Sequence, residues 1–303
     1  MAVHYLNYSN RRFVVQRIIA NFSAQFFASF DSIISCDPSS IDPAFSSQYS
    51  HILSVSRGAG LWLWKPYIIL KTLNSISYGD YLFYSDSGVF FYSSIQPIIS
   101  TLVSLNQDIG CFELPLIERQ WTKPDLLESF PNESQKPLGD TNQIMSSFHL
   151  IKKSSFSLSF YSKFLELCCD ICNIDDSHTG NFYSSEFLDH RHDQSVLSLL
   201  YKTSDLIPLK DPTQFGLYPF AYGSSSIKYF EYDRTYYLPS FNSSSVNYDR
   251  TDCPILLLRV NSSYCDYGYL IHHSRSTNQF FALLRFWFLR LLSSLGVYKG
   301  ICS

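Results

Sequence analysis

Residues 57–91, RGAGLWLWKPYIILKTLNSISYGDYLFYSDSGVFF, leave the fold of this sequence the least choice. They read as a loop, a helix beginning near Pro66, a polar turn at Tyr78-Gly79-Asp80, and a buried strand, Tyr81 to Tyr84, that carries Asp86 out of the sheet edge. Pro66 suits the first helical position, where its missing N–H costs nothing, and Lys65 then falls at the N-cap. A helix start offers free backbone donors, and a cation beside them makes it a place for phosphate. A phosphate grip and a carboxylate one helix apart point to a nucleotide-sugar site.

The flanking sequence repeats the same alternation. Val3 to Asn7 reads as a strand, Arg11 to Phe27 as an amphipathic helix and Ser32 to Ser35 as a second strand, the opening of a βαβ unit. Residues 36–56, rich in Ser, Pro and Asp, read as a surface loop with room for a short helix. Ile95 to Leu105 follows as a helix and Cys111 to Leu114 as a strand. NQIMSSFHLIKKS, from residue 142, reads as a helix-to-strand section that returns the chain to the sheet, with Lys152 and Lys153 solvated. The expected fold class is α/β: a mixed, mostly parallel sheet flanked by helices. The expected division is a core over 1–203 and an irregular C-terminal lobe over 204–303, where the pattern weakens into Tyr, Ser, Pro and Asp.

Composition removes several classes. Hydrophobic residues at 46% are ample for a core, and a formal net charge of −3 gives no support to nucleic-acid binding. The 25 Phe and 22 Tyr supply rings for a core and for sugar faces. The first residues, MAVHYLNY, have neither a basic region nor a long apolar run, so the expected location is cytoplasmic, with the eight cysteines reduced. Cys169 and Cys172 form a C-x-x-C, but no second ligand pair accompanies them. There is no G-x-G-x-x-G after the first strand, no P-loop, no G-x-S-x-G elbow and no H-E-x-x-H helix.

The segment Gly58 to Gly88, with Trp62, Trp64-Lys65-Pro66, Gly79-Asp80 and Tyr84-Ser85-Asp86-Ser87-Gly88, resembles bacterial GT-A-fold glycosyltransferases of polysaccharide and lipopolysaccharide synthesis. That resemblance implies an Asp-x-Asp motif whose first carboxylate contacts the donor and whose second binds Mn²⁺ or Mg²⁺. Asp86 matches the first, and Gly88 stands at the second, so any metal role falls to Asp86 alone. The resemblance further implies that Lys65 and Arg57 neutralise the donor diphosphate, and that Tyr8, Trp64, Ser87, Gly88 and Gln194 complete the donor side.

The likeness continues through Glu118-Arg119-Gln120-Trp121-Thr122-Lys123-Pro124-Asp125, which implies a sugar or acceptor pocket with Trp121, Lys123 and Asp125; taken on its own, the segment reads as a loop pinned to the core by Trp121. His190-Arg191-His192-Asp193-Gln194-Ser195 precedes the apolar helix VLSLLYK. Taken on its own, that run is a helix capped by Asp193 or Ser195 with solvent-facing histidines; the family likeness makes it a donor-sugar and acceptor wall containing His190 and Arg191. In an inverting reaction Asp193 is the general base, and in a retaining one it holds the sugar; both remain open. His272, His273 and Arg275 are either late contributors to the diphosphate site or an exposed cluster. The tail from Phe280 to Gly300 is aromatic and broken by Arg285 and Arg290. Its apolar runs are shorter than the about 20 residues a spanning helix needs. It reads either as a helix in the interface of an anionic bilayer or as one packed on the domain.

These readings converge on a glycosyltransferase that moves a sugar from a nucleotide-diphosphate donor to a hydroxyl of a glycan or lipid-linked acceptor, working in the cytoplasm or at the inner face of the membrane. The alternative is an inactive nucleotide-sugar or glycan-binding module of the same fold.

Overall fold

The computed structural model describes residues 1–131, 137–177, 186–213 and 270–273, together with the backbone of two short paired strands, Thr235–Tyr236 and Val246–Asn247. Strands β1 (Val3–Tyr8), β2 (Ser32–Cys36), β3 (Tyr81–Asp86), β5 (Ile109–Ile117) and β6 (Asn142–Lys152) form a five-stranded sheet in the order β2-β1-β3-β6-β5. β1 pairs in parallel with both β2 and β3, while β6 runs antiparallel to β3 and to β5. Four strands therefore share one direction, and the sheet is mixed and mostly parallel, as expected from the sequence. A short strand β4 (Val89–Phe91) follows β3 directly.

Both faces are covered. Because side chains alternate across a strand, Leu6, Leu82 and Tyr84 face a layer with the helices Trp64–Ser75 (α2), Ser155–Cys169 (α4) and Asp193–Lys202 (α5). Tyr5, Phe83 and Phe148 face the opposite layer, with Val14–Phe27 (α1) and Gln96–Ser104 (α3). Burial on two sides is why Tyr81-Leu82-Phe83-Tyr84 is a continuous apolar run rather than an alternating one. The same cause corrects the reading of residues 142–152, which are one unbroken strand; a strand covered on both faces loses the period-2 signal that would identify it. Lys153 is buried, with Nζ donating to the carbonyls of Asn74 (3.2 Å) and Ile76 (2.6 Å) at the end of α2, where unpaired carbonyls attract a cation.

α1 departs from the expected amphipathic pattern. It buries Gln16, Ala20, Ser23 and Ala24, while Ile18, Phe26 and Phe27 are exposed. The inner face is held partly by polar means: Ser23 Oγ accepts from the Phe91 amide at 3.0 Å.

Between Arg57 and Leu63 the chain makes a left-handed turn. Five consecutive residues, Gly58, Ala59, Gly60, Leu61 and Trp62, have φ of 60°, 52°, 99°, 50° and 60°. Each non-glycine residue there costs about 1–2 kcal/mol, so the turn persists only because its surroundings hold it. A Cβ on Gly58 would lie 2.2 Å from the Trp62 ring. Gly58→Ala is therefore expected to destabilise the protein by about 2–3 kcal/mol through strain and overpacking, read as a lowered urea midpoint; an unchanged midpoint would show that the turn is not held in this conformation.

Of the C-terminal region, Leu209 adds to the edge of β5 through a parallel bridge to Phe112. The strand Ile271–His273 pairs antiparallel with β4, setting Phe90 against His272 and Val89 against His273. Arg275 and the tail 280–300 lie outside the described residues.

Candidate functional site

The chain leaves β1 for β2 on one side and later returns to place β3 on the other, so the strand order reverses at β1. Open α/β sheets bind ligands at that switch point, beyond the carboxyl ends of the strands. Here Tyr8 and Asp86, the last residues of β1 and β3, are register partners, and above them lies a cleft of about 440 Å³. Its walls include Tyr8, Arg12, Trp64, Asp86, Gly88 and His273. The left-handed turn closes another side through Gly58, Ala59 and Trp62.

The local chemistry is mixed. The Trp64 indole lies flat on the Tyr8 ring, 3.8 Å between centroids at 15°, and its Nε1–H donates to the Gly58 carbonyl at 3.0 Å. Ser9 Oγ lines the cleft and is buried with no hydrogen-bond partner among the described residues, a hydroxyl that a ligand or water would satisfy. Asn10 accepts from the Arg12 amide at 3.0 Å, fixing the turn that carries Arg12 to the rim.

Beneath the cleft floor is a buried charge cluster. Lys65 is 3% exposed, and its Nζ lies 3.0 Å from Asp193 and 3.6 Å from Asp86, while also donating to the Ser146 carbonyl (3.0 Å) and hydroxyl (3.2 Å). Burial opposes its charge, but the Asp193 and Asp86 carboxylates outweigh that and push the Lys65 pKa up. Asp193 is buried and also accepts from the Ser146 hydroxyl at 2.5 Å. Asp86 is partly exposed and accepts from the Tyr84 hydroxyl at 2.7 Å. The rings of Tyr84 and Trp64 flank the ammonium at 5.8 and 5.9 Å.

This arrangement revises several expectations. Lys65 is not an N-cap cation facing solvent: α2 begins at Trp64 with Leu63 before it, and the ammonium is turned inward onto two carboxylates. Arg57 is partly exposed and paired with Asp176 (3.0 Å) and Asp189 (3.2 Å). Gln194 spans the interior, its amide donating to Gln143 at 2.6 Å and its carbonyl oxygen accepting from the Ser146 amide at 3.4 Å.

Of the residues expected around the acceptor, Trp121, Lys123 and His190 are buried, while Arg191 and Asp125 are half-buried. Trp121 is buried with the Arg191 guanidinium 4.2 Å above its ring. Lys123 is buried against Asp175 at 2.9 Å. His190 is buried, and burial pulls its pKa down to about 3; its Nε2–H donates to the Asn173 carbonyl at 2.9 Å. His192 is buried rather than solvent-facing; it stacks on Trp62 (5.1 Å, 26°) and has φ of 52°. Asp125 stands in the first turn of the short helix Pro124–Ser129. Glu118, fully buried, gathers Lys202, Ser198 and Thr122 and pins α5 to the sheet. Asp193 opens α5, but its carboxylate serves Lys65 and Ser146 rather than the helix amides.

Ser87 and Gly88 reach the cleft beside Asp86, and His273 meets them from the C-terminal strand; His272 is its buried neighbour. Arg12 and Ser9 escaped the sequence reading, although S-N-R-R directly after the first strand is the signal that places side chains at a switch point.

The described residues do not by themselves make up a divalent-cation site. Among the described residues no three His, Cys, Asp or Glu side chains converge, Gly88 offers no side-chain donor, and Asp86 is already engaged by Tyr84 and Lys65.

No protein-family model matches the sequence, and no curated protein matches it. Solved structures with a similar chain path include the galactosyltransferase LgtC in complex with donor and acceptor sugar analogues, at 12% identity and a TM-score of 0.48, covering 94% of each chain. Mouse xyloside xylosyltransferase 1 is similar at 11% identity and a TM-score of 0.42, over 91% of this chain and 98% of that one. The glycosyltransferase GlyE of Streptococcus pneumoniae TIGR4 is similar at 12% identity and 0.40, over 90% of this chain and 54% of that one.

Proposed function

We propose that this protein is a glycosyltransferase that moves a sugar from a nucleoside-diphosphate donor to a hydroxyl of a glycan or lipid-linked acceptor in cell-surface polysaccharide synthesis. The observation that carries the reading is the switch-point cleft, where a cation, Arg12, and a strand-end carboxylate, Asp86, share one 440 Å³ space. A nucleoside-diphosphate sugar presents both complements, an anionic diphosphate and a ring of hydroxyls. The Tyr84-Ser85-Asp86-Ser87-Gly88 likeness supports the same assignment.

In the reaction the acceptor oxygen forms a bond to the anomeric carbon as the bond to the diphosphate breaks, and the hydroxyl proton passes to the departing diphosphate or to solvent. Negative charge grows on the leaving diphosphate, and a cation aimed at it lowers the barrier. In this reading Arg12 is the cleft cation that serves the task, with His273 beside it on the cleft wall. Asp86 holds sugar hydroxyls, and Lys65 and Asp193 fix the Asp86 side of the floor from below.

A panel of UDP-, GDP-, CMP- and dTDP-sugars, titrated by calorimetry and assayed for transfer with a membrane extract as acceptor source, tests the reading. Binding with transfer is expected; binding of a donor with no transfer or hydrolysis in any combination would instead identify an inactive sugar-nucleotide module, and no binding at all would remove the site. Arg12→Ala is expected to lower kcat/KM about 10- to 100-fold, the magnitude of one charge-assisted hydrogen bond to phosphate; an unchanged value would take Arg12 out of the donor site.

A further inference from the structure

α1 is turned inside out relative to an ordinary surface helix. Its buried positions are Gln16, Ala20, Ser23 and Ala24, whereas Ile18 is 60% and Phe26 66% exposed, with Phe27 exposed beside them. Val14, Ile18, Phe22 and Phe26 recur every four residues and so share one side of the helix. Phe22 is half-buried on that side, its ring 4.6 Å from that of Phe26. A globular helix normally shows the reverse arrangement, and large apolar side chains exposed on one side of a helix mark a contact surface.

The charge beside the stripe selects the partner. The chain has a net charge of −3, yet its first 30 residues contain Arg11, Arg12 and Arg17 and no Asp or Glu. Arg11 and Arg12 are exposed at the start of the helix, while Arg17 donates to the Cys36 carbonyl at 3.0 Å. Phenylalanines and isoleucine beside an acid-free, arginine-bearing helix start are the features of a helix that lies in the headgroup region of an anionic bilayer. No described helix is long and apolar enough to cross a membrane, and the geometry here calls for a helix lying on one.

We infer that the outer side of α1, Ile18 and Phe26 with Arg11, docks the protein on an anionic lipid surface. The same helix start supplies Arg12, Phe13 and Gln16 to the cleft wall, so docking brings the cleft rim to the bilayer. Docking itself does not depend on the transferase reading; its service to a lipid-linked acceptor does.

Flotation of the intact protein with phosphatidylcholine vesicles, with and without phosphatidylglycerol, tests the inference. Binding is expected to the anionic vesicles, to weaken with added salt, and to fall about tenfold for each of Ile18→Asp and Phe26→Asp, with donor binding unchanged. Phe26→Trp keeps the surface apolar and is expected to add a blue-shifted emission component on anionic vesicles. Equal binding to neutral vesicles, no loss in the two aspartate variants, or no spectral shift overturns the proposal. So does loss of binding through Arg285→Glu with Arg290→Glu while Ile18→Asp and Phe26→Asp still bind, which would assign the contact to the tail. Self-association abolished by Phe26→Asp, without vesicle binding, would assign the stripe to a second copy. Donor turnover without flotation sinks this inference alone, and flotation without turnover sinks only the transferase reading.

Discussion

Lys65→Met is expected to cost about 3–5 kcal/mol of stability, the usual penalty for leaving buried charge without its partner. The ammonium lies within 3.0 Å of Asp193 and 3.6 Å of Asp86, and Asp193 is buried. Removing the cation leaves two carboxylates close together beneath the cleft, one of them desolvated. Ser146 also loses one of two donors to its carbonyl, keeping His149 Nε2 at 3.2 Å. A denaturant titration measures the effect, and Lys65→Met combined with Asp193→Asn should recover part of the loss because the buried anion is gone. A loss no larger than that of an exposed lysine would show that the ammonium is not enclosed as described. If Lys65 instead gripped a diphosphate from an open N-cap, its removal would weaken donor binding and leave stability nearly untouched.

Asp86→Asn is expected to lower transfer by about a hundredfold or more, as for loss of a charged group aimed at the reacting substrate. The substitution is nearly isosteric, and an amide oxygen still accepts from the Tyr84 hydroxyl now bonded at 2.7 Å. Lys65 keeps Asp193 as its closer partner. Stability should therefore change little while activity falls, and that separation distinguishes Asp86 from Lys65. Transfer retained at the parent rate would remove Asp86 from the donor site.

The sheet was largely legible because its strands announce themselves. Tyr81-Leu82-Phe83-Tyr84 is an aromatic and aliphatic run bounded by Gly79-Asp80, and Asp86 at its end marks the point where a buried strand meets solvent. Residues 142–152 were not legible in full, since a strand buried on both sides carries no alternation. Lys65 illustrates a second limit. Its place at a helix start could be read locally, but the direction of its side chain is decided by Asp193, which the chain supplies only from α5. Lys123 and Lys153 follow the same rule: the first reads in sequence as a pocket residue and the second as solvated, and each is buried because a distant carboxylate or pair of carbonyls receives it. Arg12 was obscured for the opposite reason, its helix being read for periodicity when its first turn belongs to the cleft.

The Lys65 cluster also bears on the order in which the molecule is completed during synthesis. Lys65, Asp86 and Ser146 belong to segments translated before α5, so a chain that has emerged only through β6 holds the ammonium with Asp86 as its sole carboxylate partner from this cluster. Docking of Asp193 supplies the second charge, and Glu118 receives Lys202 and Ser198 from the same helix. The cleft floor is thus expected to stiffen late, and ligand-binding competence to appear only after α5 has left the ribosome.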